Sequence, residues 1–134
     1  MTWDRNKELQ AVTQRGLDGS NLIIARMWVY HRDLEFQSWK YSEAKTYSVR
    51  MKATLMTSLM AGTNGEKGLS AAAAEQNADA DPEVWKSALD YRLAEQMITA
   101  DREALRILHG ELDAYRTKQA DERAADQFLT RTST

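Results

Sequence analysis

One stretch of sequence decides the fold: residues 20–61, SNLIIARMWVYHRDLEFQSWKYSEAKTYSVRMKATLMTSLMA, contain neither Pro nor Gly. Apolar residues recur there alternately every four and three positions, which is the spacing of one continuous face on an α-helix. At about 1.5 Å per residue, such a helix would be roughly 60 Å long, so an elongated molecule is predicted. We call this face the first seam, and it consists of Ile23, Met27, Tyr30, Leu34, Gln37, Tyr41, Ala44, Ser48, Met51 and Leu55.

A second long helix is predicted over residues 82–129. Asp81 is suited to cap its first turn, and Pro82 is suited to the first helical position, where the missing N–H costs nothing. The second seam consists of Val84, Ala88, Tyr91, Ala94, Ile98, Asp101, Leu105, Leu108, Leu112, Tyr115, Gln119 and Leu129.

Shorter segments complete the chain. Residues 4–15 predict a short first helix that ends at Gly16, and residues 62–81 predict a Gly-rich connection with a short helix capped by Ser70. Residues 130–134 lack apolar anchors, so we expect them to fray. The sequence therefore predicts one all-α domain over residues 1–134: an elongated antiparallel two-helix hairpin, with a short N-terminal helix and a short helix in the connecting loop.

Folding the two seams together predicts specific neighbours. Leu34 should lie near Leu108 and Leu112, and Tyr41 should lie close to Asp101. A carboxylate buried in such a seam needs a hydrogen-bond donor. We expect the Tyr41 hydroxyl to be that donor for Asp101.

Composition excludes several classes of protein. The chain has no Cys, which removes disulfides, thiolate zinc sites and thiol nucleophiles. No apolar run approaches the roughly 20 residues that cross a bilayer, and no secretory signal is visible at the N-terminus. We expect a cytoplasmic protein with no membrane partner.

Charge is distributed unevenly between the two long helices. Residues 20–61 hold six basic and three acidic residues, whereas residues 82–129 hold seven basic and ten acidic residues. Opposite charges on paired helices attract each other, which accounts for the asymmetry structurally. A basic helix could also meet phosphate groups.

Two His–acid pairs are the only candidate metal ligands. His31 and Glu35 are four residues apart, as are His109 and Asp113, so the two pairs could converge in an antiparallel register. The same spacing is common on solvated helix faces. No recurring catalytic motif is present, and we predict a non-enzymatic protein without catalytic, cofactor or metal sites.

Several aromatic residues fall outside the first seam, on the opposite side of the helix. These residues are Trp28, Phe36, Trp39 and Tyr47. A two-helix hairpin covers only one side of each helix, so these side chains need a further partner. Three partners are open: the N-terminal helix with Trp3, a second copy of the chain, or a different protein. We predict self-association as a homodimer.

The same region allows a nucleic-acid interpretation. Trp39 and Tyr47 could stack on bases, while nearby cations could contact phosphates. The candidate cations are Arg32, Lys40, Lys45, Arg50 and Lys52. Direct binding of single-stranded DNA is therefore an alternative function.

The order of features in residues 34–126 resembles uncharacterised small helical-hairpin proteins of bacteriophages that infect actinobacteria. The matching segments are WKYSEAK at 39–45, the Gly-containing turn at 62–68, the Ala-rich run at 71–75, REALR at 102–106 and LDAYR at 112–116. The resemblance implies a phage accessory protein encoded near DNA recombination and replication genes. We expect an adaptor that binds a protein of DNA recombination, replication or host defence; a structural phage component is a further alternative.

Overall fold

The computed structural model describes residues 2–62 and 65–132, and within these ranges all regular secondary structure is helical. The helices are α1 (Arg5–Gln14), α2 (Gly19–Ala61), α3 (Ala71–Ala80) and α4 (Pro82–Thr132). The predicted all-α class is confirmed, and the two long helices pack together. In the described part of the chain, no helix has both the length and the apolar character that crossing a bilayer requires.

The predicted caps are present. The Ser70 hydroxyl accepts a hydrogen bond from the N–H of Ala73 at 3.3 Å, and the Asp81 carboxylate accepts one from the N–H of Glu83 at 2.9 Å. Asp4 caps α1 in the same way through the N–H of Asn6 at 3.0 Å. The starts of α1, α3 and α4 are therefore each fixed by a side chain next to them in sequence.

Two helices are longer than predicted. Helix α3 continues to Ala80, and α4 continues to Thr132 rather than fraying from residue 130. The hydroxyls of Thr130 and Thr132 donate to the backbone carbonyls of Asp126 and Phe128, which ties the last turn to the helix. Residues 133–134 of the predicted tail and residues 63–64 of the predicted connection lie outside the described residues.

The chain divides into two compact units, each of which contains part of both long helices. Unit 1 comprises Met1–Glu35 and Thr99–Thr134, and unit 2 comprises Phe36–Ile98. The core of unit 1 is formed by Met27 of α2 and by Leu105, Leu108 and Leu112 of α4. Leu34 packs against this cluster, as predicted.

Helix α1 belongs to unit 1. Its Val12 is buried and lines the same groove as the buried Val29 of α2. Val29 is outside the first seam, so α1 covers part of α2 that α4 leaves open.

Unit 2 holds the rest of the long helices together with α3. The rings of Tyr41 and Tyr91 meet edge to face, with centroids 5.9 Å apart. The small side chains Ala74 and Ala78 of α3 are fully buried, which allows that helix to pack closely. At its surface, Lys52 lies 2.9 Å from Asp79.

The burial of the two seams follows the predicted pattern. All ten positions of the first seam are buried or half-buried, and in the second seam only Leu129 is exposed. Near the start of α2, a Cβ on Gly19 would lie 2.5 Å from the Tyr115 hydroxyl. Gly19 is the first residue of α2 and lies beside Tyr115 of α4. The turns of α4 well beyond Tyr115 therefore have no turn of α2 opposite them.

Leu108→Asp tests the core of unit 1. The substitution places a charge in the apolar cluster, so we expect the free energy of unfolding to fall by about 3 kcal/mol or more. Urea denaturation followed by circular dichroism measures this. Ile107→Asp is the matched control. The Ile107 side chain is 49% exposed, so the same change there should lower the free energy of unfolding by less than about 1 kcal/mol. Equal losses in both variants would contradict the assignment.

Candidate functional site

An aromatic surface lies on the part of α2 that belongs to unit 2. Phe36, Trp39 and Tyr47 are spaced by three and eight residues, which puts them on one side of the helix, whereas the seam positions Gln37 and Tyr41 fall on the other side. Trp39 is 62% exposed and Tyr47 is 55% exposed, while Phe36 is half-buried. We call these three residues the aromatic face of α2.

The rings of this face support one another. Phe36 and Trp39 have ring centroids 6.5 Å apart, and the Lys40 ammonium lies 5.5 Å from the centroid of Phe36. Such contacts restrict the rotamers of side chains that would otherwise be free in solvent. The face is therefore partly organised before any partner is present.

Trp28, the fourth predicted interface residue, lies in unit 1. It is 71% exposed, and its ring meets the edge of the His31 ring at 6.4 Å. It borders the groove between α1 and α2 that Val12 and Val29 also line.

The predicted phosphate-binding cations are mostly engaged within the protein. The Arg32 guanidinium lies 4.9 Å from the centroid of Trp3, and Lys45 donates to the Tyr41 hydroxyl at 3.0 Å. That hydrogen bond raises the pKa of Lys45. Lys45 therefore contacts an aromatic residue of the seam.

Lys52 and Arg50 differ sharply in their surroundings. Lys52 lies 2.9 Å from Asp79 and 3.3 Å from Glu75 of α3, and its hydrogen bonds to these carboxylates raise its pKa. Arg50 is exposed, and no ion pair or cation–π contact of its side chain is found within residues 2–62 and 65–132. Of the five cations, Lys40 and Arg50 are best placed to meet a ligand beside the aromatic face.

Sequence reasoning missed a second exposed apolar surface. Trp85, Leu89 and Leu93 of α4 lie four residues apart and are 63%, 41% and 51% exposed. Their spacing is a helical row out of phase with the seam positions Val84 and Ala88, and this signal was available in the sequence. We call these three residues the α4 row.

The two His–acid pairs do not form a metal site. In the described part of the chain, no group of three or more His, Cys, Asp or Glu side chains is arranged to hold a metal ion. His31, Glu35, His109 and Asp113 are all exposed.

A buried pair of acids lies in unit 1. Asp33 of α2 is 1% exposed and Asp101 of α4 is 0% exposed. Trp3 donates its indole N–H to Asp33 at 2.8 Å, and Arg5 donates to Asp101 at 2.9 Å. The same Arg5 nitrogen lies 3.9 Å from the second oxygen of Asp33. We call Asp33 and Asp101 the acid pair.

The predicted donor for Asp101 was wrong. Arg5 supplies the hydrogen bond, while the Tyr41 hydroxyl accepts one from Lys45. Arg5 of α1 contacts the seam at Asp101. The pairing of α2 with α4 contains no information about α1, so it could not predict this contact. The sequence does indicate that Asp33 lies on the seam side of α2, because Asp33 precedes the seam position Gln37 by four residues.

The electrostatics of the acid pair favour retention of a proton. Burial raises the pKa of Asp101 to about 7, with a further raising contribution from the adjacent Asp33 carboxyl, and Arg5 opposes both effects. Two carboxylates that share one cation in a buried site are difficult to ionise together. Through hydrogen bonds from Trp3 and Arg5, the acid pair connects the start of the chain to the parts of α2 and α4 that belong to unit 1.

Comparisons of the chain with protein-family models, with curated proteins and with solved structures give no match.

Arg5→Gln tests the role of the acid pair in stability. The variant leaves two buried carboxyl groups without their cation, and breaking a buried ion pair from one side costs about 3 kcal/mol or more. Thermal and urea denaturation at pH 7.5 measure the change. Lys7→Gln is the matched control on an exposed position of α1 and should leave stability unchanged within error. A harmless Arg5→Gln would contradict the electrostatic assignment.

Proposed function

We propose that this protein is a non-enzymatic docking protein whose binding surface is the aromatic face of α2. The observation that carries the proposal is the exposure of Trp39 and Tyr47 on the side of α2 away from the seam. The elongated antiparallel hairpin predicted from the sequence is part of this proposal, because such a hairpin leaves one side of each long helix uncovered.

The composition of the face supports docking. Trp, Tyr and Arg are enriched in the energetically dominant positions of protein interfaces, where an aromatic ring buries a large area and its polar atom still finds a partner. Trp39 and Tyr47 provide the rings, and Arg50 lies three residues beyond Tyr47. A groove lined by Tyr41, Val49 and Arg50 adjoins them on the same helix.

A second copy of the chain is the first partner that we propose. Self-association is the commonest way for a small protein to cover an apolar helix face, and a twofold dimer would place one aromatic face against another. Trp28 of unit 1 is a further contact in this proposal. We also propose an eventual protein partner in DNA recombination, replication or host defence in the cytoplasm of a phage-infected cell, and this setting rests on the sequence resemblance alone.

Trp39→Ala tests the docking surface. Loss of a central interface Trp typically costs 2 kcal/mol or more, so we expect the dimer dissociation constant to rise by about 30-fold while helicity is unchanged. Sedimentation equilibrium and circular dichroism measure the two quantities.

Trp85→Ala is the matched control, since Trp85 is equally exposed but lies on the α4 row. It should leave association unchanged. Weakened association in Trp85→Ala together with normal association in Trp39→Ala would move the interface to α4. Loss of helicity in Trp39→Ala would make Trp39 a core residue.

Direct binding of single-stranded DNA is the second proposal, favoured by the position of Lys40 and Arg50 beside exposed rings. With two phosphate contacts on a single strand, affinity should fall about sevenfold between roughly 50 and 200 mM salt. Anisotropy of a labelled oligothymidine measures this, and Lys40→Gln with Arg50→Gln should remove it. Lys86→Gln on α4 is the control. No binding at low salt would eliminate this function, and large ordered assemblies would favour a structural phage component.

A further inference from the structure

The acid pair joins an element at the start of the chain to two buried positions in the long helices. Trp3 and Arg5 precede or begin α1, and they donate to Asp33 of α2 and Asp101 of α4. A single cation thus faces two carboxyl groups that are almost fully buried. None of these contacts is needed for docking on the aromatic face, which belongs to unit 2.

The hydrogen bonds of Asp101 are incomplete unless a proton is present. Oδ1 of Asp101 accepts from Arg5, whereas its Oδ2 is buried and receives no hydrogen bond from the described residues. One Arg5 nitrogen lies 2.9 Å from Asp101 and 3.9 Å from Asp33, and the Asp33 carboxyl raises the pKa of Asp101. A proton on Asp101 Oδ2 can therefore be donated to Asp33, whose Oδ1 already accepts from Trp3.

The surrounding charges are few. The charged groups that act on Asp101 are Asp33 from α2 and Arg5 from α1. Tyr30 of α2 places its ring 5.7 Å from the Arg5 guanidinium, and Arg32 of α2 lies over the Trp3 ring.

We propose that Asp33 and Asp101 share one proton when α1 is docked, and that release of this proton loosens α1 from the long helices as a pH-sensitive latch. In the docked state, the proton relieves repulsion between two desolvated carboxylates. When α1 lifts, Trp3 and Arg5 no longer cover the two carboxyl groups, and water reaches them. Withdrawal of Arg5 by itself would favour the protonated form, but burial has the larger effect on Asp101, so the loss of burial on opening releases the proton to solvent. Opening also exposes Val29, which is buried where α1 crosses α2.

The direction of the pH dependence follows from linkage. The docked state keeps the proton up to pH of about 7, whereas a solvated Asp loses it at about pH 3.9. Between these values the docked state binds more protons than the open state, so rising pH weakens docking by at most about tenfold per pH unit. The dependence ends above pH of about 7, where both states are deprotonated.

Hydrogen–deuterium exchange of the full chain between pH 5 and 8, corrected for intrinsic exchange rates, tests the latch. In the wild type, the opening constant of residues 6–14 should rise severalfold from pH 5 to pH 7 and then level off. The core residues 105–112 should change much less, because the latch opens locally.

Asp101→Asn is the decisive variant. Its amide can accept from Arg5 and donate to Asp33, which reproduces the protonated carboxyl at every pH. We expect its α1 opening constant to stay near the wild-type value at pH 5 across the whole range. Asp113→Asn, which alters an exposed acid on the same helix, is the control and should keep the wild-type pH dependence.

Three results would overturn the proposal: a wild-type α1 whose opening does not change with pH, an Asp101→Asn variant that retains the wild-type slope, or parallel changes in α1 and in residues 105–112. If Asp101→Asn does not fold, carbon-13 NMR titration of the wild-type carboxyl groups takes its place. One carboxyl of the pair titrating near pH 7 would support the latch. Both titrating below pH 5 would refute it.

Discussion

The packing of α4 against one side of α2 is the constraint on which the rest of the structure depends. In unit 1 this packing builds the apolar cluster around Met27 and Leu108, and in unit 2 it brings Tyr41 against Tyr91. A helix presents a full circle of side chains, and one neighbouring helix covers only part of it. What α4 does not cover must be covered by another element or remain in solvent.

The two units solve this problem differently. In unit 1, α1 lies over α2, buries Val29 and inserts Arg5 beside the acid pair. In unit 2, α3 packs through its alanines and pairs with Lys52, but the aromatic face of α2 stays exposed. The first unit thus holds the buried charged side chains, and the second carries most of the exposed large apolar side chains. The docking surface that we propose therefore lies in the unit without the buried ion pair.

Much of the helical layout follows from local sequence. The seams are visible because residues three and four apart share a side of a helix, and Ser70 and Asp81 cap helices through their own neighbours in sequence. The exposed position of Trp39 follows from the same periodicity. These features depend on short-range geometry, which a single sequence records directly.

The acid pair could not be predicted in the same way. Its cation comes from residue 5, and its carboxyl groups come from residues 33 and 101. Nothing local indicates that a short first helix places a guanidinium in the seam, and seam register pointed instead to Tyr41. The α4 row, in contrast, is visible in the sequence, because Trp85, Leu89 and Leu93 are spaced by four residues and lie one position out of phase with the seam. Helix α4 continues past Leu129, its last apolar seam residue, and the hydroxyls of Thr130 and Thr132 bond to carbonyls of the preceding turn. Apolar periodicity carries no signal for this last turn.

Covalent footprinting of the aromatic side chains by hydroxyl radicals, carried out on the full chain over a series of protein concentrations, tests whether the side of α2 that α4 leaves open is a docking surface. Trp39 and Tyr47 should become protected as the concentration rises, while Trp85 keeps its reactivity. Protection of Trp85 with unchanged Trp39 and Tyr47 would contradict the assignment of the docking surface to α2.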